Sequence, residues 1–465
     1  MEHATPHRPD STSARRRFSI APVSIFIAVL LSGAARARCA DTDLKSIIFK
    51  DTTDALPNVS SDKFINRGTR VLFRWLSKTK KDAAHYPGYS NSPKLTFDGM
   101  KVWDANVRFE DGKLKRVDLS IYNRGDAGLI SDDEFKKLLE QLDASLAGWL
   151  KVKPSEPTKL RLPKNQGTVY SKFWVKGSLL LTEKWSMSKV PRSRDEKPEF
   201  ITLSVTAFDP KNDPRKTRYV AHGKTNKAVV SNLKSNIKKT DDGGFWLDNI
   251  PMVDQGPKGY CVVAVMERIL RYYGQDVDQH MMAELGDTKQ GGGTYVGKMM
   301  DMLKKSGVKF RVKVKVLMEP MNSLDLMNEM TKYQSYRKRK RLSGIHPVNG
   351  FEENYAQIKQ DIDTYKAFRV EKLKSDYKKF RKAIVKAIKE GIPLVWGVHL
   401  GLVPEEKLNP QTEGGHMRMI IGYNEKTNEI YYTDTWGAGH ELKKINWDDA
   451  WCETTSYSVV YPRKK

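Results

Sequence analysis

One loop constrains this chain more than any other stretch. Residues 253–274 read VDQGPKGYCVVAVMERILRYYG, a glycine- and proline-punctuated loop that ends on a cysteine and runs straight into an apolar segment. From Cys261 the apolar positions Val262, Val265, Met266, Ile269 and Tyr273 recur at helical spacing, and Gly274 stands where a helix should end. The pattern predicts a buried helix with Cys261 in its first turn. Unsatisfied N–H groups and the positive end of the helix dipole stabilise a thiolate at that position and lower the pKa of the thiol. A buried structural cysteine is the alternative reading of the same stretch. Gln255, six positions earlier, with Gly256 and Gly259 between, favours chemistry. Acyl transfer through a thiol passes a tetrahedral oxyanion, and the backbone N–H of the nucleophile plus one side-chain amide would hold that oxygen.

The remainder of the sequence bounds where such a thiol could work. The chain has 465 residues, 39% hydrophobic and 10% aromatic, enough for two or three domains with real cores and unlike a disordered chain. A net charge of +25 favours anionic surroundings such as nucleic acid, lipid or cell-wall polymers, or else describes a solvated basic surface. Arg15, Arg16 and Arg17 precede an apolar run from Phe18 to Gly33, and small residues follow in AARARCA. This is the pattern of a secretory signal peptide over residues 1–40. The run is shorter than the roughly 20 residues a spanning helix needs, so no stable membrane span is expected after cleavage. The expected location is secreted or periplasmic. Of the cysteines Cys39, Cys261 and Cys452, the last two survive cleavage near Ala37 or Ala40, which is no disulfide framework. A lone thiol kept in an oxidising compartment needs a reason, and chemistry is one.

Residues 41–208 read as an α+β accessory unit. Helical periodicity covers Asp62 to Thr79 through Phe64, Val71, Leu72 and Trp75. Val107 to Tyr122 is a hairpin around Asp111-Gly112. Ser131 caps a helix that runs to about Leu150, with Asp132, Asp133 and Glu134 in its first turn. VYSKFWV, SLLLTEKWSM and FITLSVTAF read as further strands, so a helix on one face of an antiparallel sheet is the economical arrangement. His85 reads as a lone exposed histidine. Residues 209–244, polar and basic, read as a linker. Residues 245–465 form the second domain, with a charged helical insertion at about 321–376. Within it the basic run Arg337 to Arg341 is a solvated face or a grip for an anionic envelope polymer. Nucleic acid is not an expected partner, because no recognition motif or interleaved aromatics appear. No zinc spacing, phosphate loop or dinucleotide fingerprint is present, so neither a metal nor another cofactor is expected.

A base for Cys261 comes from GGHMRMIIGYNEKTNEIYYTDTWG, Gly414 to Gly437. His416 opens an apolar strand through Ile421 and Tyr423, Asn424 to Asn428 form the turn, and Ile430 to Asp434 return. A three-residue loop sets Asp434 opposite Arg418, making His416 and Asp434 diagonal neighbours. The carboxylate would hold the imidazole's tautomer, and the imidazole would accept the thiol proton. His399 and His440 are rival bases. His399 follows the strand IPLVWGV and is expected to face away or line the cleft edge. Gly291 to Gly293 open another helix, with Thr294 as its cap.

DQGPKGYC at the head of a helix resembles the papain-like cysteine peptidases, whose hallmark is Gln-Gly-x-x-Gly-x-Cys. Lys258 stands where the papain branch carries a disulfide cysteine. The version here looks more like the bacterial branch related to the bacteriocin-leader (double-glycine) peptidases. Asp434-Thr435-Trp436-Gly437 matches that family's Asn-Ser-Trp-Gly, with aspartate for asparagine as in the bacterial branch. The resemblance covers about Phe245 to Pro462. The first domain is outside it. The expected fold is thus an α+β chain in which the antiparallel sheet-plus-helix domain read above precedes a domain that the resemblance implies is papain-like, a helical subdomain and an antiparallel β subdomain with a cleft between. The resemblance also implies a cysteine peptidase acting on a protein or peptide substrate, which the signal-peptide pattern makes a secreted one. Cys261 would be nucleophile, His416 base, Asp434 its partner, Gln255 an oxyanion donor and Trp436 a shield over the histidine–aspartate pair. By the same resemblance the glycine run lies beside the substrate backbone. The double-glycine preference is not carried over. A transglutaminase-like acyltransferase and a catalytically silent papain-like binding module are the alternatives.

Overall fold

Asp111 and Gly112 both take positive φ, 51° and 74°, the backbone twist a two-residue hairpin turn requires. They join the strands Asp104–Glu110 and Lys113–Asn123, the centre of an eight-stranded antiparallel sheet. In spatial order the sheet runs Arg74–Trp75, Ala83–Tyr86, Asp104–Glu110, Lys113–Asn123, Glu196–Ala207, Leu179–Lys189, Thr168–Lys176 and Thr158–Arg161. The computed structural model describes residues 42–45, 73–86, 88, 94–161, 167–190, 195–216, 227–256, 259–288, 293–405 and 410–463. The expected signal segment lies outside these residues.

Ser131 caps the Asp132–Leu150 helix, and Glu134 returns a bond to the cap backbone, a reciprocal capping box. That helix buries Phe135, Leu142, Leu146 and Leu150 in one core with the sheet's Leu119, Ile121 and Tyr122. Most of the helix expected over Asp62–Thr79 lies outside the described residues, and its visible end is not helical. Arg74–Trp75 is a strand paired with Ala84 and His85. Pairing with the neighbouring strand decides the conformation of this end over its local period.

The second sheet is also antiparallel. Its order is Ile237–Lys239, Phe245–Leu247, Gly414–Asn424, Leu394–Leu400, Thr454–Pro462 and Val312–Met318, with Glu429–Thr433 and Lys443–Asn446 branching from Gly414–Asn424. Leu394–Leu400 is buried at every position, which explains its continuous apolar sequence. The Cys261–Tyr272 helix packs against Gly414–Asn424. It is buried from Val262 to Leu270, and Gly274, at φ 78°, follows its end.

The insertion is helical at Ser323–Arg339, Phe351–Gln360 and Ile362–Lys372. It is anchored rather than appended. Arg369 donates to the carbonyls of Cys452 and Thr454 at 2.9 Å each, and Tyr355 stacks on His399. Of the basic run, Arg337 turns inward to Asp361 at 2.5 Å, whereas Lys338 to Arg341 are exposed. The helix after the glycine run is Val296–Ser306, and Tyr295 rather than Thr294 holds the cap position. Thr294 instead hydrogen-bonds the Thr288 hydroxyl. No helix among the described residues is long and apolar enough to cross a membrane.

Candidate active site

Cys261 is the first residue of its helix, with Tyr260 at the cap position. The loop before it is stitched to the segment after Thr433. Asp254 bridges Trp436, and the Gln255 N–H donates to the Thr435 carbonyl at 2.8 Å. The Thr435 hydroxyl donates to Gln255 Oε1 at 2.5 Å. That bond fixes the amide's orientation and makes Nε2 its donor end. Gly256, at φ 66°, turns the chain, and its N–H donates to Asp254 Oδ1 at 2.9 Å. Gly259 passes so close to Gly293 that a Cβ on it would sit 2.7 Å from the Gly293 Cα. Only glycine fits there.

His416 pairs with Val398 across the strands, and its Nε2 lies 2.7 Å from Asp434 Oδ1, both side chains fully buried. The Trp436 ring stacks on the imidazole at 5.7 Å and 15°. The carboxylate fixes Nε2 as the N–H nitrogen. Nδ1 is buried, and besides Asp434 the group that acts on the ring is the Cys261 thiol.

The two groups shift one another. Burial pushes the thiol up, but hydrogen bonding and charge from His416 and backbone hydrogen bonds from Met417 and Val262 outweigh it, so the Cys261 pKa is lowered. Burial would lower the imidazole, yet Asp434 and then Cys261 raise it to about 9. A lowered thiol beside a raised imidazole favours the thiolate–imidazolium pair at neutral pH.

A charged layer that the sequence reading did not anticipate lies under Asp434. Arg418 Nε is 3.3 Å and Lys443 Nζ 3.6 Å from Asp434 Oδ2. Arg418 also pairs with Glu405 and, at 3.0 Å, with Glu453, while Lys443 reaches Glu405 at 2.5 Å. Burial pushes Asp434 up, but Arg418, His416 and Lys443 hold it well below the usual carboxylate range. Burial raises Glu453 to about 8 against the pull of Arg418. The signal in the sequence was a charge inside an otherwise apolar strand, two residues after His416 and hence on the same face. Arg268 is a second such residue. From within the Cys261 helix it donates to the carbonyls of Pro251 at 2.7 Å and Asp434 at 2.6 Å, tying the helix to both loops.

The rival histidines are accounted for. His399 lies on the opposite face of its strand from Val398, under Tyr355, and burial lowers its pKa to about 4. His440 accepts the Asp434 N–H through its carbonyl at 3.0 Å. Cys452 is buried and unbridged, with a pKa pushed up to about 12 by burial. His85 is a correction: it is buried between Asp104 and Asp254 rather than exposed. Among the described residues no His, Cys, Asp and Glu group converges to hold a metal ion.

No curated protein matches the chain. The family model described as Peptidase_C39 like family matches residues 247–460. That span carries Gln255, Cys261, His416 and Asp434 and leaves out the N-terminal sheet. Residues 247–460 of this chain are thus similar to the Peptidase_C39 like family, a likeness that supports a papain-like cysteine peptidase family akin to the bacteriocin-leader peptidases.

Proposed function

We propose that this chain is an exported cysteine peptidase, secreted or periplasmic, that hydrolyses peptide bonds through Cys261, His416 and Asp434. The observation that carries the reading is a cysteine at a helix N-terminus beside an imidazole whose Nε2 is held 2.7 Å from a buried carboxylate under a stacked Trp436, an arrangement that lowers the thiol and raises the imidazole. The substrate would lie in a cleft between the helical side, headed by Cys261, and the β side that carries His416. The Cys261 sulfur attacks the carbonyl carbon, and the C=O electron pair moves onto oxygen. The Cys261 N–H and the Gln255 amide donate to that oxygen. Collapse breaks the C–N bond, and His416 gives its proton to the departing amine. Water then yields a proton to His416, its oxygen attacks the thioester, and the C–S bond breaks to regenerate the thiolate.

The test is selective alkylation. Iodoacetamide at neutral pH is expected to label Cys261 and spare Cys452, and His416→Ala is expected to lose that selectivity. Equal labelling of both cysteines refutes the ion pair. A fluorogenic peptide library with and without an added amine then separates hydrolysis from a transglutaminase-like transfer. Gln255 six residues before the cysteine favours hydrolysis, and the intact set of four favours activity over a silent binding module.

A further inference from the structure

We infer that the N-terminal sheet is a working part of this active site, in which His85 and Asn123 act as positioning residues that hold the two ends of the loop Asp254–Cys261. The inference rests on the peptidase reading above and says what the accessory region does for it.

At the first end, His85 projects from the strand Ala83–Tyr86, with Nε2 2.9 Å from Asp104 Oδ2 and Nδ1 3.7 Å from Asp254 Oδ2. All three side chains are buried. Asp254 is the residue before Gln255, and it does three things at once. It faces His85, accepts the Gly256 N–H, and bridges Trp436, the ring stacked on His416. A shift at Asp254 therefore reaches the oxyanion donor on one side and the cover of the imidazole on the other. Burial alone would lower His85, but Asp104 and Asp254 raise it to about 9, so it is an imidazolium between two carboxylates at neutral pH. His280 Nε2, at 4.0 Å from Asp104 Oδ1, and Gln279, donating to Asp104 Oδ2 at 3.4 Å, face the same cluster from the second domain's side.

At the other end, the Tyr260 hydroxyl donates to Asn123 Oδ1 at 2.8 Å, an acceptor shared with the Gly125 N–H. Tyr260 is almost wholly buried and sits at the cap of the Cys261 helix. The fit is tight: a Cβ on Gly125 would lie 1.7 Å from the Tyr260 hydroxyl. Both anchors thus come from one rigid sheet and clasp the loop at either side of Gln255. A loop rich in glycine has no stiffness of its own, and nucleophile and oxyanion donors must be held to within a fraction of an ångström. Separating His85 from Asp254 would leave two buried charges apart, and breaking the Tyr260–Asn123 bond would leave a buried hydroxyl without its acceptor. Such contacts suit a permanent part of the site rather than a pro-region that is shed.

The experiment uses the full mature chain. Tyr260→Phe removes one oxygen and His85→Ala removes the imidazole; kcat and KM are measured per active site, titrated with an irreversible thiol reagent. Both variants are expected to lose roughly 10- to 100-fold in kcat with KM changed less than about 2-fold, as for a misplaced reacting group. His85→Asn, which keeps an amide donor toward Asp254, is expected to recover part of the loss. Unchanged kcat per titrated site in both Tyr260→Phe and His85→Ala, in a chain where Cys261→Ala is inactive, overturns the inference while leaving the peptidase reading intact. Full activity of Cys261→Ala overturns that reading itself.

Discussion

His416 Nε2 and Asp434 Oδ1 lie 2.7 Å apart with no solvent at either side chain. The carboxylate thereby sets which nitrogen carries the proton and raises the imidazole's pKa, which in turn keeps the Cys261 thiol low. Asp434→Asn removes the charge with little change in shape. Its amide can present an N–H to the ring and impose the wrong tautomer. The expected result is a fall in kcat of roughly 100- to 10,000-fold. The acid limb of Cys261 alkylation should move to higher pH as well, because an imidazole without its carboxylate stabilises the thiolate less. An alkylation profile that does not move in Asp434→Asn means that Asp434 has no hold on the pair.

The pH dependence of activity follows from the same two groups. Cys261 is lowered, so the thiolate is present well below the ordinary thiol range. His416 is raised to about 9 and, as pH climbs through that value, loses the proton it must give to the leaving amine. The rate with a peptide ester or amide is therefore expected to hold across neutral pH and decline near pH 9. A decline centred near 6.5, the ordinary imidazole value, would show that the buried carboxylate does not act on the base.

How much of this was legible depended on how local each contact is. The hairpin that brings His416 to Asp434 was readable, but by a partly mistaken route. The turn spans four residues between Asn424 and Glu429 rather than three, and a bulge between Ile420 and Gly422 restores the register that sets Arg418 against Asp434. A bulge leaves no mark in a run as uniform as MIIGY. The Cys261 helix announced itself because its period, its glycine stop and its loop all lie within one stretch of 22 residues, Val253 to Gly274. His85 could not be read in this way. Its partners Asp104 and Asp254 are in another strand and in the loop before Cys261, and a histidine between AA and Y carries no periodic signal. Arg418 left a trace, a charge in an apolar strand, whose meaning depends on Glu405, Glu453 and Lys443 arriving from three other segments.

Gly259 offers a steric test of the loop. Its missing side chain lets it lie against Gly293, backbone on backbone, so Gly259→Ala places a methyl 2.7 Å from a Cα that cannot rotate away. The two segments must separate, and Cys261 lies two residues on. The expected outcome is a drop in kcat of at least about 10-fold per titrated thiol, with thermal stability lowered only modestly. Full activity in Gly259→Ala means that the close approach is incidental to the site.

The buried histidines also make stability depend on pH, with a definite sign. His85 and His416 each rise from 6.5 in the unfolded chain to about 9 in the folded one. A raised pKa contributes stability that is fully present below 6.5 and is lost as pH rises through about 9, each shift being worth about 3 kcal/mol by proton linkage. Asp434 works in the opposite sense: it is held down, so its contribution is present above the ordinary carboxylate pKa and fades only in strong acid. The unfolding temperature should therefore decline from near-neutral pH toward pH 9. The groups facing His85 are Asp104 and Asp254, with His280 beyond Asp104. In His85→Asn its titration is gone, and calorimetry should find a shallower decline over this interval. A slope unchanged by that substitution means that the imidazolium of His85 is not what binds the accessory sheet to the loop at Asp254.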